Sequence, residues 1–458
     1  MAGFMSAQAS VMARIPWATL GVSAVLTAAP VAVLLSGDLS TRLIVLGVLA
    51  TAVAAYAATI HPTSIFAATA GVLGFVPYLD IPGTNVPVLL VLAVGVWVAL
   101  VFLPGVQFRP GWCEWWVLGL AVAALLSVVA TDLSADSLTE LAAWLAATAI
   151  VVPVRFLPAP ARSTMVRVFV LSSAAASLLG ILLVRIDPYG VLLSRLTFAG
   201  YDYSESNVQQ VEGSETLTTR LTGTFVEPNI AGLILAIGLL LAVGYFRGPM
   251  RVLLVVVIGS GLMLTLSRAA IATVVVAGAL LVLRSGGARR ISLLVSGALA
   301  ALGALAIPGV RDRLFDSFGP SDTGTIVRDL ALQQFPQAMQ GHWVWGLGWA
   351  REEFRDPTVG RIVNIVANAP LLTIYRGGLI LGGLAIAVLA LLVIRSWVAG
   401  QRSFEDAVVC CGVIGLILVE LQLDFPVVIQ VPATVAFSFL IGLSLHPPDP
   451  RVPRMPDA

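Results

Sequence analysis

Residues Arg220–Arg268 read RLTGTFVEPNIAGLILAIGLLLAVGYFRGPMRVLLVVVIGSGLMLTLSR, and this stretch sets the architecture of the chain. It opens polar and turn-rich, then carries two apolar runs, one from Asn229 to Phe246 and one from Val252 to Leu266. Pro228 offers no backbone donor, but its fixed φ suits a first helical turn. Each run is about 15–17 residues, nearly enough to cross a bilayer as a helix. Arg247 and Arg251 lie between the runs, as expected for a short cytoplasmic turn. Two crossings return the chain to the side it left, so the spacing places Arg220 and Arg268 on one face at similar depth. A charge at that boundary is costly unless it snorkels to a headgroup or an anion uses it. Two arginines converging with Asn229 and Glu227 have the makings of a polyanion clamp.

Outward from this stretch, the 458 residues are 58% hydrophobic and only 11% charged. A soluble domain carries about 25% charged residues, so the composition indicates an integral membrane protein. The apolar runs are spread along the whole chain rather than gathered into one anchor. All 26 basic residues are arginine; codon bias explains that choice, although arginine also suits bidentate phosphate binding. Cys113, Cys410 and Cys411 fall in or beside apolar runs, with neither metal-ligand nor disulfide-framework spacing. No Asp/Glu cluster suggests a metal, and neither a cofactor nor nucleic acid is expected.

Apolar runs occur at about 17–36, 42–60, 65–80, 86–104, 114–131, 138–154, 166–185, 229–246, 251–266, 268–284, 291–309, 371–394, 406–423 and 430–446. The expected fold is therefore an all-α polytopic membrane protein with about 12–14 transmembrane helices. Arginines test this count. If each run crosses once, Arg14, Arg109, Arg162, Arg247, Arg289, Arg402 and Arg451 fall on one side, and most acidic residues on the other. The positive-inside rule makes the arginine side cytoplasmic, with both termini there, in the cytoplasmic membrane. The resulting divisions are N-terminal helices over 1–185, an outer segment and helical core over 186–309, and an extracytoplasmic loop over 310–370, its large polar part near 310–365. C-terminal helices over 371–446 and a disordered tail over 447–458 complete the chain. Within the loop, Ile326, Leu330, Leu332, Phe335 and Met339 recur at helical spacing, which predicts an amphipathic helix over Thr325 to Met339, capped by Asp322 or Thr323. The WVWGLGWA run after His342 reads as an interfacial turn.

The pattern R-x-x-G-x-F-x-x-P-N beginning at Arg220, followed one hairpin later by the L-S-R ending at Arg268, resembles the O-antigen ligase and polymerase superfamily. The resemblance covers mainly residues 217–383. It implies a metal-independent glycosyltransferase acting on a polyprenyl-pyrophosphate-linked glycan donor and a glycan or lipid acceptor, among membrane lipids. It assigns the pyrophosphate to Arg220 and Arg268, with Asn229 beside them, and more weakly to Arg328. It also expects a His-Asn pair before a glycine-bearing helix; here that reads Ala367-Asn368. Asn368 keeps its place, while the absent histidine favours a polymerase over a ligase and leaves the general base open between His342 and the carboxylates Glu227, Asp356 and Asp424, of which Glu227 is the best placed. Glu420 and Asp424 read as a structural pair with Arg376. A transporter or flippase of lipid-linked glycans, and a catalytically inactive relative, are the rival readings.

Overall fold

The structure, a computed structural model, describes residues 59–81, 86–104, 106, 111–187, 191–192, 195, 219–305, 323–351, 354–355, 362–364, 368–423 and 427–446. In chain order the helices are α1 (Pro62–Phe75), α2 (Val88–Phe102), α3 (Trp112–Thr131), α4 (Ala135–Ala149), α5 (Val151–Arg155), α6 (Ala159–Ile186) and α7 (Pro228–Tyr245). There follow α8 (Gly248–Thr265), α9 (Arg268–Arg284), α10 (Gly287–Leu305), α11 (Thr323–Ala338), α12 (Ala369–Ala399), α13 (Phe404–Leu418), α14 (Glu420–Leu423) and α15 (Val431–Ser444). In its described part, every apolar run from 65–80 onward is mostly helix. The run at 17–36, nearly all of that at 42–60 and the 447–458 tail lie outside the described residues.

Among the described residues, six helices are long and apolar enough to cross a membrane: α3, the continuous α4–α5, α6, α7, α8 and α12. Helices α1, α2 and α15 are apolar but shorter. The expected 12–14 spans therefore rest partly on helices below bilayer length, because hydropathy does not register where a helix stops. Helix α13, for example, ends at Leu418, and Val419 breaks the chain before α14.

Caps and prolines set the helix starts. Ser134, Ser403 and Asn368 each accept a hydrogen bond from the backbone N–H three residues on. Pro228 opens α7 as expected. Helix α7 is the innermost of the six, packed against α6, α8, α9, α13 and α15; Ile230, Ile234, Ile237 and Leu241 are wholly buried. Small residues allow this closeness, since a Cβ on Gly232 would lie 2.7 Å from Ser267 Cβ and 2.8 Å from Ala270 Cβ. Outward-facing positions are apolar in turn: Val101 is 81% exposed and Leu283 68%. Repeated over many helices, such a surface is one that hydrocarbon solvates better than water.

Two faces separate. On one, Arg155 holds Glu114 and the Leu445 carbonyl, Arg402 the His446 carbonyl, and Arg284 the Trp397 carbonyl. The helix ends of α3, α5, α8, α9, α12, α13 and α15 gather there. The opposite face gathers Arg220, Glu227, Asn368 and the loop after α11. Of the arginines in the pattern, Arg162, Arg247, Arg289 and Arg402 share the first face, while Arg14, Arg109 and Arg451 lie outside the described residues.

That second loop has a feature the sequence did not announce. Helix α12 is broken at Gly378, whose φ of 72° and ψ of −177° lie outside helical space. The freed carbonyls of Tyr375 and Arg376 accept from Leu347 N (2.8 Å) and Gly348 N (3.2 Å), and Leu379 N donates to the Trp343 carbonyl at 2.7 Å. The Trp- and Gly-rich turn thus plugs the break, which is how irregular backbone at such depth remains satisfied. Trp349 is fully buried, donates to Ser127 Oγ at 3.0 Å and packs against Trp144 with the rings tilted by 45°. Trp343 and Trp345 remain exposed, whereas Trp349 belongs to the core. Helix α11 occupies the place of the expected amphipathic helix and buries Ala331 and Phe335. Asp322 lies outside the described residues. A small antiparallel pair, β1 (Phe354–Arg355) and β2 (Ile362–Asn364), follows the plug.

Candidate functional site

The Arg220–Glu227 segment folds inward. Leu221 and Phe225 are wholly buried, and Leu221 N pairs with the Leu264 carbonyl at 2.9 Å, tying the segment to the end of α8. From this anchor Arg220 Nε donates to the Thr265 carbonyl at 2.9 Å, and one terminal nitrogen donates to Asn229 Oδ1 at 2.9 Å. Arg220 therefore caps the carbonyl end of α8 while touching the first turn of α7, and the two contacts fix the guanidinium plane.

Arg268 is the first residue of α9 and half-buried. The close approach of Gly232 to Ser267 and Ala270 places the starts of α7 and α9 side by side. Two helix N-termini, each carrying about half a positive charge, thus converge with two arginines. Backbone donors and dipoles arranged in this way suit an anion. Both helices are entered through strained residues: Val226 has φ 61° and Leu266 has φ 52°, and these are the two non-glycine residues at positive φ among those described. Such a backbone costs on the order of 1–3 kcal/mol and concentrates at functional sites.

Glu227 precedes Pro228 and accepts from Gln430 Nε2 at 3.0 Å; Gln430 Oε1 in turn accepts from Tyr78 Oη at 2.8 Å. Burial, and then the Glu227 charge, hold the Tyr78 hydroxyl well above its ordinary pKa. It therefore stays a donor and orients the Gln430 amide toward the carboxylate. Neither Tyr78 nor Gln430 was singled out in the sequence. Gln430 is a polar residue at the head of an apolar run, and only the fold brings it to a position 203 residues away.

The other expected residues lie apart from this cluster. Asn368 caps α12, its Oδ1 accepting from Leu371 N at 3.0 Å and its Nδ2 donating to the Gln422 carbonyl at 3.0 Å. Its amide thus fastens α12 to α14. His342 is exposed in the turn after α11, on a cavity of about 410 Å³ walled also by Thr131, Asp132, Trp345 and Arg351. None of Arg220, Glu227, Asn229 or Arg268 lines that cavity. Hydrogen bonds from Ser134 and Ser137 hold Asp132 below its usual carboxylate range. Arg328 sits on α11, while Asp356, Ala367 and Asp424 lie outside the described residues.

The expected pairing of Arg376 with Glu420 or Asp424 is not what the structure shows. Arg376, 4% exposed, holds Glu140 and the Trp349 carbonyl. The break at Gly378 turns the end of this half-helix toward the Trp plug and α4. Glu420 is instead buried beside α9 and α12. Gly415 of α13 abuts Thr273 and Ala277 of α9. From that contact α13 runs on toward Glu420 and the antiparallel α9 runs back to Arg268, so both residues lie at the same end of the pair.

No protein-family model matches the chain, and no curated protein matches it.

Proposed function

We propose that this protein is a polytopic membrane glycosyltransferase. It polymerises or transfers a glycan from a polyprenyl-pyrophosphate carrier on the outer face of the cytoplasmic membrane, with both termini cytoplasmic. One observation carries the proposal: Arg220, immobilised by Thr265 and Asn229, stands where the positive ends of α7 and α9 converge with Arg268. A pyrophosphate on a lipid carrier brings its charge to that boundary, where preorganised donors stabilise it best as it departs.

In the proposed step an acceptor hydroxyl attacks the anomeric carbon. The bond from that carbon to the pyrophosphate oxygen breaks with inversion, and the electron pair leaves on the carrier pyrophosphate, held by Arg220 and Arg268. The hydroxyl proton passes to Glu227, whose carboxylate is oriented by Gln430. His342 belongs to another cavity and Asn368 to the framework of α12, so neither is given a chemical step. The absent histidine at Ala367 favours polymerisation over ligation.

The break in α12 favours a second reading, transport, because discontinuous helices often bind substrate in transporters. Here, however, backbone donors of the Trp plug fill the break. That favours chemistry at the surface over passage through the middle.

The test is turnover of a polyprenyl-pyrophosphate-linked glycan by purified Arg220→Ala and Arg268→Ala. Loss of a charge-assisted contact worth about 2–4 kcal/mol slows transfer roughly thirty- to a thousandfold. Lysine at either position restores only part, since it lacks the planar fork. Activity within twofold of wild type in either alanine variant would reduce these residues to helix caps and snorkelling charges.

A further inference from the structure

On the face opposite Arg220, the end of α7 and the starts of α8, α10 and α13 surround a cleft of about 740 Å³. Four arginines line it, Arg247, Arg251, Arg289 and Arg402, against one carboxylate, Glu405. Glu405 pairs with Arg247 at 3.4 Å, and that arginine's side chain is 84% exposed. Arg251 Nε donates to the Phe246 carbonyl at 2.5 Å and Arg402 to the His446 carbonyl at 2.9 Å. Neutral carbonyls fix those two guanidiniums without cancelling their charge. Arg289 lies over the Phe404 ring at 4.6 Å. Ordinary boundary arginines are scattered along a face, whereas these come from three separate segments, the start of α8, α10 and the turn before α13, and share one concavity.

The rest of the wall is mainly apolar, with Ser292, Ser296 and Ser403 as its neutral polar residues. Val252, Val255 and Val256 follow Arg251 along one side of α8, and Leu293 faces them from α10. Val252 and Val256 are exposed, as are Ile291, Leu294 and Val295 of α10, so the cleft opens onto surface suited to hydrocarbon. A soluble anion would make no use of that surface.

We propose that this cleft is a binding site for an anionic phospholipid of the adjoining leaflet. Its phosphate sits among the four arginines, and an acyl chain lies along Val252, Val256 and Leu293. Near-surface arginines are each worth about 1 kcal/mol toward an anionic headgroup, or roughly fivefold in affinity. The arrangement stands apart from the Arg220 site, so the two ideas fail or succeed separately.

The experiment takes the full-length protein, delipidated in detergent, and titrates it with phosphatidylglycerol, phosphatidylethanolamine or glycerol 3-phosphate. Bound lipid is read by native mass spectrometry and the unfolding midpoint by thermal denaturation. Wild type is expected to retain phosphatidylglycerol at least tenfold better than phosphatidylethanolamine, and to lose that preference as salt rises from about 0.05 to 0.5 M. The double variant Arg247→Gln/Arg289→Gln is expected to bind phosphatidylglycerol roughly 25-fold more weakly. Arg185→Gln, at the far end of α6, should bind it as wild type does. Equal retention of the two phospholipids by wild type overturns the proposal without any variant. It also fails if the double variant binds within twofold of wild type, or if glycerol 3-phosphate matches phosphatidylglycerol in raising the midpoint.

Discussion

Gly378→Ala is the substitution whose consequence follows most directly from the structure. A Cβ at Gly378 would meet the Val344–Trp345 peptide well inside 3.0 Å, against backbone rather than a side chain that can swing away. The φ of 72° with ψ near 180° is also essentially open only to glycine, and forcing alanine there costs about 1–3 kcal/mol. Relief of the clash separates the Trp plug from α12 and breaks the hydrogen bonds Leu347–Tyr375, Gly348–Arg376 and Leu379–Trp343. At about 1 kcal/mol net for each, the total reaches roughly 4–6 kcal/mol, beyond the usual range for one mutation. Thermal unfolding of the purified variant, with limited proteolysis of the protein in membranes, measures the effect. The midpoint should fall by many degrees, and cleavage should appear between Gln340 and Arg351. A variant with the wild-type midpoint and an uncut loop would mean that the plug does not close this break.

Gly232→Ala leaves both clamp arginines in place but requires α7 and α9 to part by several tenths of an ångström where Gly232 meets Ser267 and Ala270. Overpacking of this kind costs about 1–3 kcal/mol of stability, and misplacing a catalytic group by about 1 Å can cost roughly a hundredfold; turnover of the lipid-linked donor at wild-type rate would show that the convergence does not matter. His342→Ala should keep substantial turnover while Glu227→Gln loses about 10²–10⁴-fold, measured across pH with purified variants, and the reverse order would move the base to the His342 cavity. His446 is held below its ordinary pKa by burial first and then by Arg162, with Asp406 opposing and Arg402 adding to the depression. A base depressed in the native state binds fewer protons there than when unfolded, so stability is full above about pH 6.5 and is lost as pH falls through it. Unfolding midpoints from pH 8 to 5.5 should therefore decline, and His446→Gln should flatten the decline; identical profiles would remove His446 as its source.

Among the described residues, the sequence by itself determined where the helices lie. Long runs such as Pro228–Tyr245 have one stable outcome in an apolar solvent, which is to satisfy every backbone group within the segment. Arginines at alternate turns separate the two faces for the same reason, since a guanidinium seldom leaves water or headgroups. That Arg220 and Arg268 belong to one end of the bundle was legible because two crossings must return the chain to its starting side. The tertiary structure alone decided what those residues touch. Thr265 accepts from Arg220 because α8 ends in a left-handed turn at Leu266, a conformation that a Leu-Ser-Arg sequence gives no reason to expect. Gln430 orients Glu227, Glu140 takes Arg376 from its expected partners, and the Trp plug fills the Gly378 break. Each is a contact between segments far apart in the chain. Hydropathy and spacing carry the distance between a residue and the membrane boundary, but not its angular position around the bundle, and packing of small residues such as Gly232 against Ser267 sets that angle.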